Sequence, residues 1–311
     1  MKISICIPAY KRVPYLERLL DSILMQSFRD FEVVITDDSN DSTVSNFIEK
    51  YKEKFPIIYQ KNPIALGTPE NWNESMRKAK GTWIKLMHDD DWFADENALQ
   101  MFDEATLQNP DCSFIFSAYH NVSENKGQKK KVQLKWLGNI LLKRSPLNLF
   151  KKQFIGNPSC TLIRREVDLW YDSRFKWVVD FEYYIRCLRK VKKYFYIDQA
   201  LINVGINDEQ VTNYTFRKPE VEIPENHLMV EKMGTAILRN IFVYDYFWRL
   251  YRNLGIKNES EIAVFYKKDI HPLLKQMIHF QRRIPSQILS TGVFSKLLMT
   301  GNYAISLFRK V

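Results

Sequence analysis

The sequence predicts an α/β fold, a mostly parallel sheet flanked by helices, with a helical subdomain at the C-terminal end. Three observations carry this. Apolar runs of strand length alternate with segments of helical periodicity over the first hundred residues. Each run stops at a proline, a glycine or a cluster of Asp, Ser and Asn. From about Pro224 onward the strand-like runs give way to helical, basic and aromatic-rich sequence.

Taken in order, residues 3–10 open with Ile3-Ser4-Ile5-Cys6-Ile7, a buried parallel strand that ends at Pro8. Pro14 then suits the first turn of a helix, where its missing N–H costs nothing, and Leu16, Leu19, Leu20, Ile23 and Leu24 form the apolar stripe. Residues 31–36 make a second strand, and the polar residues 37–42 stop it and offer caps for a helix through Phe47 and Ile48. Residues 55–60 make a third. Thr68, Pro69 and Glu70 start a helix expected to run to Lys80, with Gly81 closing it, and residues 82–87 form the next strand. Right-handed crossovers bring the carboxyl ends of such strands to one edge, where ligands of these sheets bind. Three loops meet there: Pro8-Ala9-Tyr10, Asp37-Asp38-Ser39 and His88-Asp89-Asp90-Asp91.

The third loop carries the sharpest signal. Adjacent carboxylates repel one another and lose solvation when buried, so Asp89, Asp90 and Asp91 at a strand end imply a cation. Mn²⁺ or Mg²⁺ is the natural choice, since hard ions take a few protein oxygens and complete their shells with water and phosphate. An ordinary acidic turn capping the next helix is the plain alternative. No Gly-x-Gly-x-x-Gly follows the first strand and no Gly-Lys-Ser/Thr loop occurs, which argues against a dinucleotide site and an NTPase.

The chain has 311 residues, 45% of them hydrophobic, enough to bury a full core. No charged-then-apolar leader precedes Ile3 and no apolar run is long enough to span a bilayer, so the expected location is the cytoplasm. Cys6, Cys112, Cys160 and Cys187 are scattered and read as reduced core residues, and the five histidines form no zinc pattern. A net charge of +10 favours an anionic partner.

Several stretches together resemble glycosyltransferase family 2, with its Rossmann-like GT-A fold: Ile-Cys-Ile-Pro-Ala-Tyr from Ile5, residues 19–39, Asn71-Trp72-Asn73, Ala79-Lys80-Gly81 and the Asp-Asp-Asp-Trp tract. The resemblance covers roughly residues 3–215 in order. It implies an inverting transferase that moves a sugar from a nucleotide diphosphate, usually UDP though dTDP carries the same base N3–H, to an acceptor hydroxyl. By the same resemblance Tyr10, with Pro8 and Ala9, packs on the base, and Asp38 accepts its N3–H, ahead of Asp37. Asp90 matches the metal-coordinating carboxylate, with Asp89 next to it among the nucleotide-binding residues and Asp91 ranked after both. His88 stands where many relatives have Asp.

Further along, residues 157–166 resemble the family's small-residue turn and strand, and Asp180, at the acidic start of a helix, matches its general base. Val179 replaces a usual Glu, and Glu182 is the next carboxylate. A helix cap is the bland role for Asp180. Gly205-Ile206-Asn207 replaces an Arg-x-His of relatives, leaving Asn207 as the weaker substitute near the metal. In the mechanism that follows, Asp180 takes the acceptor proton while the metal offsets charge on the departing diphosphate.

The expected domains are a catalytic domain over 1–222, with a nucleotide-sugar half to about 105 and an acceptor half after it, and a basic helical subdomain over 223–311. The lysines from Lys126 to Lys131 read as a solvated loop. Basic and large apolar residues recur together near the C-terminal end (Arg282, Arg283, Phe294, Lys296, Leu297, Arg309), which fits either packing or peripheral contact with anionic membrane at its inner face. A carbohydrate or lipid-linked acceptor, as in bacterial-type surface polysaccharide or glycolipid assembly, agrees with the second. Two other classes are a nucleotidyltransferase of similar fold and a non-enzymatic nucleic-acid-binding module. The ordered aspartate loops weigh against nucleic acid.

Overall fold

The computed structural model describes residues 1–123, 127–207 and 215–308. Two compact units form: one from residues 1–140, 154–175 and 179–210, the other from 141–153, 176–178 and 211–311.

The first unit opens β1 (Ile3–Ala9), α1 (Val13–Leu24), β2 (Phe31–Asp37), α2 (Thr43–Ile48), β3 (Ile57–Lys61), α3 (Glu70–Lys78) and β4 (Trp83–Leu86). It continues with β5 (Trp92–Phe93), α4 (Ala98–Gln108), β6 (Phe114–Ser123), β7 (Gln128–Val132), the helix α5 (Trp136–Arg144), of which residues 141–144 count with the second unit, β8 (Thr161–Arg164), α6 (Val179–Val191) and β9 (Phe195–Ile206). One sheet runs β3-β2-β1-β4-β8-β6-β9-β5, with β7 beside β6. The pairs β1 with β2, β1 with β4 and β2 with β3 are parallel, so the carboxyl ends of β1, β2 and β4 share an edge. β8 runs antiparallel to both β4 and β6, and β6 is parallel to β9. The carboxyl end of β9 and the amino end of β8 therefore reach the same edge as the end of β4.

Burial follows the expected pattern. Every residue of β2 is buried, and α1 turns Leu16, Leu19, Leu20 and Ile23 into the core, with Pro14 in its first turn. All four cysteines are free and buried.

Two expectations change. The helix α3 stops at Lys78, and Gly81 does not close it: its N–H donates to Ser4 Oγ at 2.8 Å, and a Cβ there would lie 2.7 Å from the Ser4 backbone nitrogen. Gly81 is needed for close strand approach, not for a left-handed cap. The lysine-rich segment is not a loop, because Lys129, Lys130 and Lys131 lie in β7 and pair with β6 in a hairpin. Their side chains are exposed, so strand pairing spares their solvation; Lys126 lies outside the described residues.

The second unit holds α7 (Pro219–Met233), α8 (Ile241–Leu254), α9 (Glu259–Ala263), α10 (Pro272–Arg282), α11 (Ser286–Ser290) and α12 (Gly292–Phe308). The aromatic crowd of α8 is its core face: Tyr244, Phe247, Trp248 and Tyr251 are fully buried or nearly so. No helix among the described residues is long and apolar enough to cross a membrane.

Candidate functional site

The loops after β1 and β2 are stitched together. Asp38 N–H donates to Ala9 O at 3.0 Å, and Lys11 N–H donates to Ser39 Oγ at 2.8 Å. This leaves Tyr10 half exposed at the mouth, beyond the partly buried Pro8 and the buried Ala9. Asp37 is spent on structure: its carboxylate accepts from Ser39 N–H and from the Tyr59 hydroxyl, each at 2.8 Å. Asp38 accepts from Asn62 Nδ2 at 2.7 Å, Leu66 N–H at 3.0 Å and Gly67 N–H at 2.8 Å, which folds the loop after β3 toward it. A carboxylate offers about four acceptor positions, so Asp38 retains one.

Beyond β4 the three aspartates part company. Asp89 is clamped by Arg12, whose Nη2 and Nε donate to its two oxygens. Burial pushes the Asp89 carboxyl up to about 7, and the Arg12 charge pulls against this. Asp90 accepts from Asn207 Nδ2 at 3.1 Å and lies 3.6 Å from Arg12 Nη1. Asp91 accepts from Asn157 Nδ2 at 2.6 Å and Gly205 N–H at 3.1 Å; burial, then the Asp90 charge, raises its pKa.

His88 joins them. Its ring lies 4.7 Å from that of Trp72, and its backbone N–H donates to Ser159 Oγ. Burial lowers its pKa, and its Nε2 is buried with no hydrogen-bond partner among the described residues. One ligand atom each from His88, Asp90 and Asp91 lie within 4.8 Å of one another. A neutral imidazole nitrogen without a donor, beside two carboxylates whose charges repel, is a donor set that fits a divalent cation. Asp89, turned to Arg12, is not part of that group.

The neighbours explain why the loop holds this shape. Gly205 in β9 passes so close that a Cβ would lie 2.4 Å from Asp90 O, so a glycine is demanded here by backbone approach. Arg18 Nη2 donates to Asp90 O at 2.9 Å and its guanidinium lies 3.7 Å from the Trp92 ring centre. Below the loop, Lys85 of β4 is buried and donates to the carbonyls of Ser159 and Thr161; burial lowers its pKa to about 7. Sequence reasoning assigned no role to Arg12, Arg18, Lys85 or Asn157. The cation two residues past Tyr10 was the available signal for Arg12; the others depend on tertiary pairing.

Asp180 sits in the first turn of α6, partly buried, and accepts from Phe181 N–H at 2.7 Å. Burial raises the pKa of the Tyr119 phenol, and the charges of Asp180 and Asp91 add to that. Glu182 is fully buried and locked to Arg186 through two hydrogen bonds, of 2.5 and 2.9 Å.

Comparison with known proteins bears on the fold. The profile described as Glycosyl transferase family 2 matches residues 4–170. An uncharacterized glycosyltransferase of Methanocaldococcus jannaschii is 25% identical over 216 residues, 65% of this chain and 69% of that protein. The abequosyltransferase of Salmonella typhimurium is 37% identical over 101 residues, 31% of this chain and 30% of that protein. An uncharacterized glycosyltransferase of Haemophilus influenzae is 32% identical, and the match spans only 37% of each chain. Among solved structures, S. aureus TarS 1-349 in complex with UDP-GlcNAc superposes with a TM-score of 0.66 at 15% identity, over 97% of this chain and 89% of that one. A mannosyltransferase of Pyrobaculum calidifontis in complex with GDP-Man and Mn²⁺ gives 0.55 at 14% identity, over 100% and 88%. Both show the same mixed α/β architecture.

Proposed function

Because the chain belongs to glycosyl transferase family 2, we propose that it moves a sugar from a nucleotide diphosphate to an acceptor hydroxyl with inversion. The observation that carries this is the edge where β1, β2 and β4 end together, with an exposed aromatic, a carboxylate with spare acceptor capacity and an acidic cluster in three neighbouring loops. Tyr10, flanked by Pro8 and Ala9, stacks on the base, and the remaining acceptor position of Asp38 takes its N3–H. That favours UDP over purine nucleotides and admits dTDP, and the complex of TarS with UDP-GlcNAc supports the choice.

His88, Asp90 and Asp91 would hold Mn²⁺ or Mg²⁺; when bound, the ion supplies charge neutralisation for the diphosphate leaving group. Arg12 holds Asp89 in place and keeps a cation facing the same crevice. On the acceptor side Asp180 takes the hydroxyl proton. Glu182 is the poorer candidate, since Arg186 occupies both of its oxygens. The acceptor is a carbohydrate or lipid-linked carbohydrate of surface polysaccharide or glycolipid assembly, met in peripheral contact with anionic membrane on the cytoplasmic face.

The test is a screen of UDP-, dTDP- and GDP-sugars for binding and donor hydrolysis, with and without Mn²⁺. Metal-dependent hydrolysis of a uridine donor is expected. Pyrophosphate release from a nucleoside triphosphate, with no donor bound, would replace this reading by nucleotidyl transfer.

A further inference from the structure

The helix α12 is built inside out. The side chains it buries are Ser295, Met299, Asn302 and Ser306, spaced to form one stripe along its length. Val293, Phe294, Leu297, Ile305 and Leu307 point outward with exposures of 49 to 71%. An ordinary surface helix does the reverse.

Hydrogen bonds enforce the orientation. Trp248 Nε1 donates to Ser295 Oγ at 3.0 Å, Arg252 Nη1 donates to the same oxygen at 3.2 Å, and Asn302 Nδ2 donates to the Tyr244 hydroxyl at 2.9 Å. Turning the helix over to hide its apolar side chains would strip the buried Trp248 N–H and Tyr244 hydroxyl of these partners, which is costly. The apolar face is thus held outward by the packing beneath it.

Charge identifies what covers it. After Asp269 the chain contains no Asp or Glu, whereas Lys275, Arg282, Arg283, Lys296, Arg309 and Lys310 follow. Lys275 pairs with Glu259, but Arg282, Arg283 and Lys296 are exposed and have no acidic partner among the described residues. An exposed apolar helical face in a segment whose exposed cations have no acidic partner among the described residues suits an anionic bilayer surface, with apolar side chains at the acyl boundary and cations among the headgroups. A second copy of the chain would set one acid-free cationic face against another. At 17 residues the helix is not a span.

We propose that the outward face of α12 lies in the plane of an anionic membrane and is the element that holds the protein there. This deepens the membrane contact in the function proposed above, and it is tested without donor or acceptor, so its failure leaves sugar transfer standing. The full-length protein is floated with phosphatidylglycerol-phosphatidylcholine vesicles and with pure phosphatidylcholine vesicles, at low and high salt, beside the triple variant Val293→Ser, Leu297→Ser, Ile305→Ser and the charge variant Arg282→Gln, Arg283→Gln, Lys296→Gln. Because every changed side chain is exposed, thermal melting should match the wild type. The expected result is flotation of the wild type on anionic vesicles, weakened by salt, and a loss of about tenfold or more in each variant. Equal flotation of wild type and triple variant overturns the proposal, as does wild type that stays in the pellet fraction. A concentration-dependent dimer in light scattering that the triple variant abolishes also overturns it, by assigning the face to self-association.

Discussion

At the scale of single residues, the site separates three carboxylates that stand side by side in the sequence. Among the described residues the Asp90 carboxylate accepts one hydrogen bond, from Asn207, with Arg12 Nη1 at 3.6 Å, while Asp91 is tied by Asn157 and Gly205 and Asp89 by Arg12. Replacing Asp90→Ala should abolish divalent-ion-dependent donor hydrolysis while thermal melting stays close to wild type; full activity with excess chelator would remove the metal from the reaction. Asp180→Asn keeps the shape but not the basicity, so donor affinity by calorimetry should hold while kcat falls roughly 10²- to 10⁴-fold. Near-normal turnover would move the base elsewhere. His227 gives a prediction about pH. It is buried against Tyr251, whose hydroxyl lies 3.1 Å from Nε2, and burial lowers its pKa from 6.5 to about 4. Between those values the unfolded chain binds the proton and the folded one does not. Stability is therefore full above about pH 6.5 and lost as pH falls toward 4, by up to about 3 kcal/mol. Urea denaturation across that window should show the slope, and His227→Gln should flatten it.

At the scale of elements, strand ends deliver the chemistry and the contacts between strands fix its geometry. β9 runs parallel to β6, and its last residues arrive beside the acidic loop, Gly205 donating to Asp91 and Asn207 to Asp90. The absent side chain at Gly205 matters most there, because a Cβ would lie 2.4 Å from Asp90 O. Gly205→Ala should cost about 1–3 kcal/mol and push the Asp90 backbone aside. Weakened Mn²⁺ binding by electron paramagnetic resonance should accompany the lower melting temperature. Unchanged melting and unchanged metal affinity would show that β9 can retreat freely.

At the scale of the whole molecule, the first unit is an acidic crevice in a chain of net charge +10. Metal and nucleotide each neutralise a charge that burdens the other, so UDP and Mn²⁺ together should raise the melting temperature by more than the sum of their separate effects. At a hundredfold excess over Kd, binding adds about 2.7 kcal/mol, or roughly 5 °C or more in a unit of this size. Simple additivity in differential scanning fluorimetry would mean that the two sites are independent.

Much of this was legible in the sequence because local rules suffice for it. Strand and helix periods, Pro14 in a first turn and the run of polar residues after Ile35 set the order β1-α1-β2-α2-β3-α3-β4, and the crossover rule placed Tyr10, Asp38 and His88 to Asp91 at one edge. Other features depend on residues far apart in the chain, whose meeting no local pattern encodes. Arg12 finds Asp89, Asn157 finds Asp91, and Gly205 is small because Asp90 passes over it. The lysines after Gly127 look like a solvated loop because period and polarity alone do not distinguish a loop from an edge strand whose hydrogen bonds go to β6. For α12 the sequence supplied an apolar and basic helix, but which face turns inward was decided by where Trp248, Arg252 and Tyr244 needed hydrogen-bond partners.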